Sequence, residues 1–127
     1  MTPARRALPA PTEAAEQRMV AAWLNARRLC WLHPPNEGRR SVVTGAHLRS
    51  LGLKKGAPDV LVFTPPPGKF GIVGVAIEMK RRNGTASGVR PEQRDWLDQL
   101  KELGWATCVA FGADDAIAFL ESHYGRA

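Results

Sequence analysis

The sequence predicts an α/β domain, a small mixed β-sheet flanked by helices, and three observations carry that prediction. Runs rich in valine, isoleucine, leucine and phenylalanine, GAPDVLVF from Gly56, IVGVAIEMK from Ile72 and WATCVAF from Trp105, are bounded by glycine and proline. Between and around them lie segments whose apolar residues recur at helical spacing. No internal repeat or second domain interrupts the order helix, strand, short helix, strand, strand, helix, strand, helix.

Taken in order, residues 1 to 11 carry three prolines and no periodicity, which predicts a disordered basic arm, with the folded domain over 12–127. Thr12 is placed to cap a helix through EAAEQRMVAAWLNARR, whose Met19, Val20, Trp23 and Leu24 share one face. Glu16 falls on that same face, and two readings stand: an acid placed favourably in a helix's first turns, or a carboxylate aimed inward. Leu29 to Leu32 form a short strand candidate. HPPNEGRRS, from His33, is rich in turn formers and bases, and GAHLRSLG, from Gly45, reads as a short helix. GAPDVLVF and IVGVAIEMK pair as a hairpin across the loop TPPPGKFG. A basic loop, RRNGTASGVR, leads to the helix PEQRDWLDQLKELG, with Pro91 at its start, Gly104 past its end and Trp96, Leu97, Leu100 and Leu103 as its buried stripe. Gln93 also lies on the inward side. WATCVAF is the last strand, and ADDAIAFLESHYG closes the fold through Ile117, Phe119 and Leu120.

A chain of 127 residues with 44% apolar content is one domain, able to bury roughly two thirds of its unfolded surface without staples. The net charge of +6 and a pI near 10.0 favour a polyanionic partner without naming one. Cys30 and Cys108 lack a C-x-x-C partner, which argues against a zinc site or disulfide framework and for buried free thiols. The first residues hold no continuous apolar stretch, and no apolar run is long enough to span a bilayer, so a cytoplasmic setting is expected. An RNA-binding sheet would show aromatic stacking platforms on strands, whereas Trp23 and Trp96 fall on helical stripes.

The chemistry concentrates in the hairpin. Asp59 opens its first strand, and in the second Glu78 and Lys80 point to one side while Ile77 and Met79 point to the other. Charges inside an apolar run cost several kcal/mol to desolvate unless compensated, and a divalent cation between Asp59 and Glu78 would compensate them. Magnesium suits such sparse oxygen ligation. The alternative is that Glu78 and Lys80 are strand-end charges facing water. Arg39, Arg40, Arg49, Lys54 and Lys55 gather just before this stretch and Arg81 and Arg82 just after it, where phosphate contacts would be useful.

Asp59 after Pro58, a strand, a turn and Glu-x-Lys on the next strand resemble the PD-(D/E)XK nuclease superfamily, with its restriction-endonuclease-like fold. AEQRM on the first helix, GLKKGAPDVLVF, IEMKRRNGTASGVRPEQRDWL and LGWATCVAF together resemble the VRR-NUC (virus-type replication-repair nuclease) family of standalone phage or bacterial type, over most of the chain. The resemblance implies a magnesium- or manganese-dependent DNA endonuclease, similar to Holliday junction resolvases, acting as a homodimer on branched DNA in a bacterial cell or phage-infected host. It implies that Asp59, Glu78 and the Met79 main-chain carbonyl bind one metal and that Glu16 acts at a second position. Lys80 would orient or polarise the attacking water, and Gln93 would orient groups around it. The competing readings are a catalytically silent nucleic-acid-binding module and a nuclease preferring flaps or forks.

Overall fold

The computed structural model describes residues 9–35 and 42–126. They form α1 (Glu13–Ala26), β1 (Trp31–Leu32), α2 (Val42–Ser50), β2 (Val60–Val62), β3 (Gly74–Lys80), α3 (Pro91–Glu102), β4 (Trp105–Phe111) and α4 (Ala113–Tyr124), with a 3-10 turn at Ala86–Gly88. The sheet order is β1-β2-β3-β4. The first three strands are antiparallel, and β3 and β4 run parallel, joined by the crossover through α3 that parallel neighbours need. The expected mixed α/β sheet flanked by helices is therefore the observed architecture.

Alternation along β3 assigns its faces. Val75 and Ile77 enter a core with Val60, Val62, Val20, Leu24, Ala116 and Leu120, the inward residues of β2, α1 and α4. Ala76, Glu78 and Lys80 point to the opposite face, where α3 packs on β3 and β4. Helix α1 begins as its sequence indicates, with the Thr12 hydroxyl accepting from the Ala15 N–H at 3.0 Å. Its buried stripe is Glu16, Val20 and Leu24, each four residues on from the last.

Several local expectations differ. Met19 stands one position off that stripe and is exposed. Leu103 is exposed as well, because it is the cap residue of α3 and the chain already turns away at Gly104. Cys30, expected inside, is exposed beside the two-residue edge strand β1, and Cys108 is half-buried. Strand β2 spans only three residues, so Asp59 stands immediately before it. Helix α2 starts three residues earlier than its motif indicated. The proposed arm at 1–8 and the loop bases Arg39 and Arg40 lie outside the described residues. Among those described, no helix is long and apolar enough to cross a membrane.

Candidate active site

Antiparallel pairing of Val60 with Ile77 places the preceding residue, Asp59, beside Glu78. Asp59 Oδ2 accepts from the Met79 N–H at 2.7 Å, so the carboxylate stands where a further ladder bond would have formed. Both acids are buried, Asp59 at 8% exposure and Glu78 at 3%. Burial first, and the Asp59 charge second, push the Glu78 carboxyl up to about 8, against the pull of Lys80. Glu78 Oε2 is buried with no hydrogen-bond partner.

Gln93 organises the rest of the face. Its Oε1 accepts from Lys80 Nζ and from the Arg90 N–H, both at 2.9 Å. Two donors fix that end of the amide as the oxygen, which sends Nε2 to Glu78 Oε1 at 2.9 Å. Lys80 Nζ stands 3.6 Å from the same Glu78 oxygen. Gly56 allows α3 to come this close: it adopts φ +82°, and a Cβ there would lie 2.7 Å from Glu92 Cγ and 3.0 Å from the Glu92 main chain. The first turn of α3, and Gln93 with it, rests directly on the loop that leads to Asp59.

Two clefts open from this centre, and both are lined by Asp59, Met79 and Lys80. One, of about 250 Å³, carries Lys54, Lys55 and Arg90 with Glu78 and Gln93. The other, of about 370 Å³, runs along α1 and includes His33. His33 Nδ1 lies 2.6 Å from the Asp59 main-chain oxygen, and since a carbonyl only accepts, Nδ1 carries the proton of that bond.

Glu16 is buried at 1% exposure but is held differently. Its Oε1 accepts from Arg82 Nη2 at 2.8 Å, Arg82 Nε at 3.0 Å and the Ala113 N–H at 3.2 Å, where α4 begins. Arg82 also donates to Asp114 at 3.0 Å. Gly112, at φ +95°, leaves room for this knot, since a Cβ there would be 3.0 Å from the Glu16 oxygen. Among the described residues no three His, Cys, Asp or Glu side chains form a group able to hold a metal, and Glu16 lines the larger cleft together with Asp59, Met79 and Lys80. Glu16 thus ties α1 to the start of α4 through Arg82 and the Ala113 N–H, and Arg82, itself exposed, bonds both Glu16 and Asp114.

Of the remaining bases, Lys54 and Lys55 border the smaller cleft, with Lys55 3.9 Å from Glu92. Arg81 is exposed 3.6 Å from Glu13, and Arg49 is exposed on α2. Arg90, which the sequence reading passed over as one more base of the glycine-bearing loop, reaches the same cleft as Lys54 and Lys55. Its place at the start of α3, three residues before Gln93, is the signal that marks it.

The chemistry of the donor set fits a hard divalent cation: adjacent buried carboxylates, one of them holding an unpartnered oxygen. Among known proteins, a solved structure described as a VRR_NUC domain protein shares the fold at TM-score 0.74 and 22% identity, over 91% of this chain and 90% of that one. No curated protein matches the chain. The model of the VRR-NUC domain matches residues 11–114, a span that contains Glu16, Asp59, Glu78, Lys80 and Gln93. The chain therefore belongs to the VRR-NUC domain family, nuclease domains of the PD-(D/E)XK type.

Proposed function

We propose that the protein is a metal-dependent endodeoxyribonuclease with its centre at Asp59, Glu78, Lys80 and Gln93. The observation that carries this is the unpartnered, buried Glu78 Oε2 beside Asp59. Natural folds seldom leave such an acceptor empty, and PD-(D/E)XK-type nuclease domains generally use divalent metals. Asp59, Glu78 and the main-chain carbonyl of Met79 would hold magnesium or manganese, with waters completing the shell. When bound, the ion supplies hydroxide near neutral pH and offsets charge building on the scissile phosphate.

The chain's own groups do the remainder. Lys80, held by Gln93 Oε1, presents a fixed positive charge to the attacking water and the phosphate. Gln93 locks the relative positions of Lys80 and Glu78 by contacting both. Hydrolysis adds water to phosphorus and breaks one ester P–O bond, leaving a phosphate on one fragment and a hydroxyl on the other. Lys54, Lys55 and Arg90 line the adjoining cleft, a suitable path for the neighbouring backbone phosphates.

The substrate reading is branched DNA, a four-way junction first, cut by a homodimer whose two sites meet a substrate of similar symmetry. Trp31 and the inward residues of α4 pack against the core. The exposed apolar residues Val73 and Leu103, flanking the Val73–Gly104 hydrogen bond, with Phe70 nearby, are better material for the homodimer contact. Plasmid, flap, fork and four-way junction DNA, each incubated with magnesium, manganese or chelator, test the proposal. Cleavage is expected with either metal, fastest on junctions, and abolished by chelator. Metal-independent cleavage, or none on any DNA, overturns it. Light scattering should give twice the 13.9 kDa chain mass, and a strict monomer that cuts flaps faster than junctions removes the resolvase reading alone. Replacing Lys54 and Lys55 with alanine should lower affinity for all sequences and reduce the salt slope by roughly 1 per lost contact.

A further inference from the structure

The two clefts share Glu13, Asp59, Met79 and Lys80 and differ in what else lines them, and the difference says which part of a nucleotide each accepts. The smaller adds three cations, Lys54, Lys55 and Arg90, alongside Glu78 and Glu92, and those cations suit phosphates once a metal occupies the acids. The larger adds a single cation, Arg18, and its own acid, Glu16, is already paired with Arg82, so this cleft offers little to hold a second phosphate. Ala14 and Met79 add apolar surface. The exposed imidazole of His33 adds a planar ring whose orientation is set by its 2.6 Å bond to the Asp59 carbonyl. At about 370 Å³ the cleft lies within the range of small-ligand sites, about 300–1,000 Å³. An apolar slot with a fixed aromatic ring, beside a phosphate-cleaving centre and poor in positive charge, fits a nucleobase.

We propose that the cleft along α1 receives the nucleobase next to the scissile phosphate, unstacked from its neighbours and laid against His33. This rests on the nuclease reading of the centre and deepens it. Unstacking costs least where pairing is already broken, so the cleft selects mismatched, frayed or branched DNA over intact duplex without reading base sequence.

The test uses 2-aminopurine, whose emission is quenched by stacking, placed in turn at each nucleotide around the cut mapped in magnesium. With chelator present the DNA is bound but not cut. The expected result is a rise of roughly threefold or more at one position beside the cut and none farther away. His33→Ala should remove most of that rise while retaining DNA affinity. Ala14→Trp, at an exposed position of α1, fills the cleft without disturbing the core. It should slow cleavage of ordinary substrate by roughly tenfold, whereas the same DNA carrying an abasic residue at that position should be cut at the wild-type rate. DNA that is cut normally but shows no emission rise at any position, or an Ala14→Trp variant that cuts ordinary and abasic DNA equally well, overturns the base-binding cleft alone. Wild-type protein that cuts no DNA overturns the nuclease reading and the cleft with it.

Discussion

Glu16 and Glu78 are both buried glutamates within an apolar layer, at 1% and 3% exposure, yet their surroundings are opposite. Glu16 accepts two bonds from Arg82 and one from the first turn of α4. Its charge is matched by a guanidinium and by the positive end of a helix. Glu78 receives one amide bond, has Lys80 at 3.6 Å, faces a second carboxylate and keeps one oxygen without a partner. Burial alone therefore assigns neither acid its role. What differs is what remains unsatisfied: the Glu16 carboxylate is paired and links two elements, whereas the Glu78 carboxylate keeps one oxygen unpartnered, as the proposed metal site requires.

The comparison breaks first at activity. Glu78→Gln and Lys80→Ala should each lower the cleavage rate by on the order of a thousandfold or more, with circular dichroism unchanged. Substantial cleavage by either variant would place the chemistry elsewhere. Glu16→Ala should act the other way round. It leaves the buried Ala113 N–H without its acceptor, so it should cost about 1–3 kcal/mol in urea unfolding, and its cleavage loss should be recovered at temperatures where the variant is folded. A stable but inactive Glu16→Ala protein would make Glu16 a participant in the reaction.

A subtler contrast comes from pH. In metal-free protein the folded state holds a proton on Glu78 up to about pH 8, whereas the unfolded chain releases it near the ordinary 4.5. Stability from this group is fully present below about pH 4.5 and is lost as pH rises toward and through 8. Magnesium should remove that decline by favouring the ionised carboxylate, and Glu78→Gln should lack it altogether. Thermal melts of both proteins from pH 5 to 9, with and without metal, check the point; a decline that survives in Glu78→Gln assigns it to another group.

The site was legible in the sequence to the extent that its groups are local. Asp59, Glu78, Lys80 and Gln93 fall within one hairpin and the next helix, and strand alternation with helical spacing was enough to set them on one face. Helical spacing also turned Glu16 inward. Its partners could not be read the same way, since Arg82 is 66 residues away and Ala113 is 97 away, and no local period links them. Arg82 thus looked like one more base in a basic loop. Leu103 was misplaced for a related reason: spacing extends a stripe past the point where a helix stops, and the cap decides where that is. The pairing of the β3 and β4 strands as parallel neighbours likewise emerges only from the assembled sheet.

The same chain separations set an order of assembly. Asp59 meets the Met79 amide across 20 residues and Gln93 reaches Glu78 across 15, whereas Glu16 meets the Ala113 amide only after the chain closes over 97. Closing the longer loop costs on the order of 1 kcal/mol more in chain entropy before any contact rewards it. The hairpin and crossover can therefore form their hydrogen bonds while α1 is still undocked, and the Glu16–Arg82 knot fastens afterwards. Pulse-labelled hydrogen exchange during refolding should protect the Met79 amide before the Ala113 amide; the reverse order would mean that α1 and α4 nucleate the fold. In a chain growing from its N-terminus, the Asp59–Glu78–Gln93 cluster would be assembled in outline before the helix that closes over it, α4, has been made.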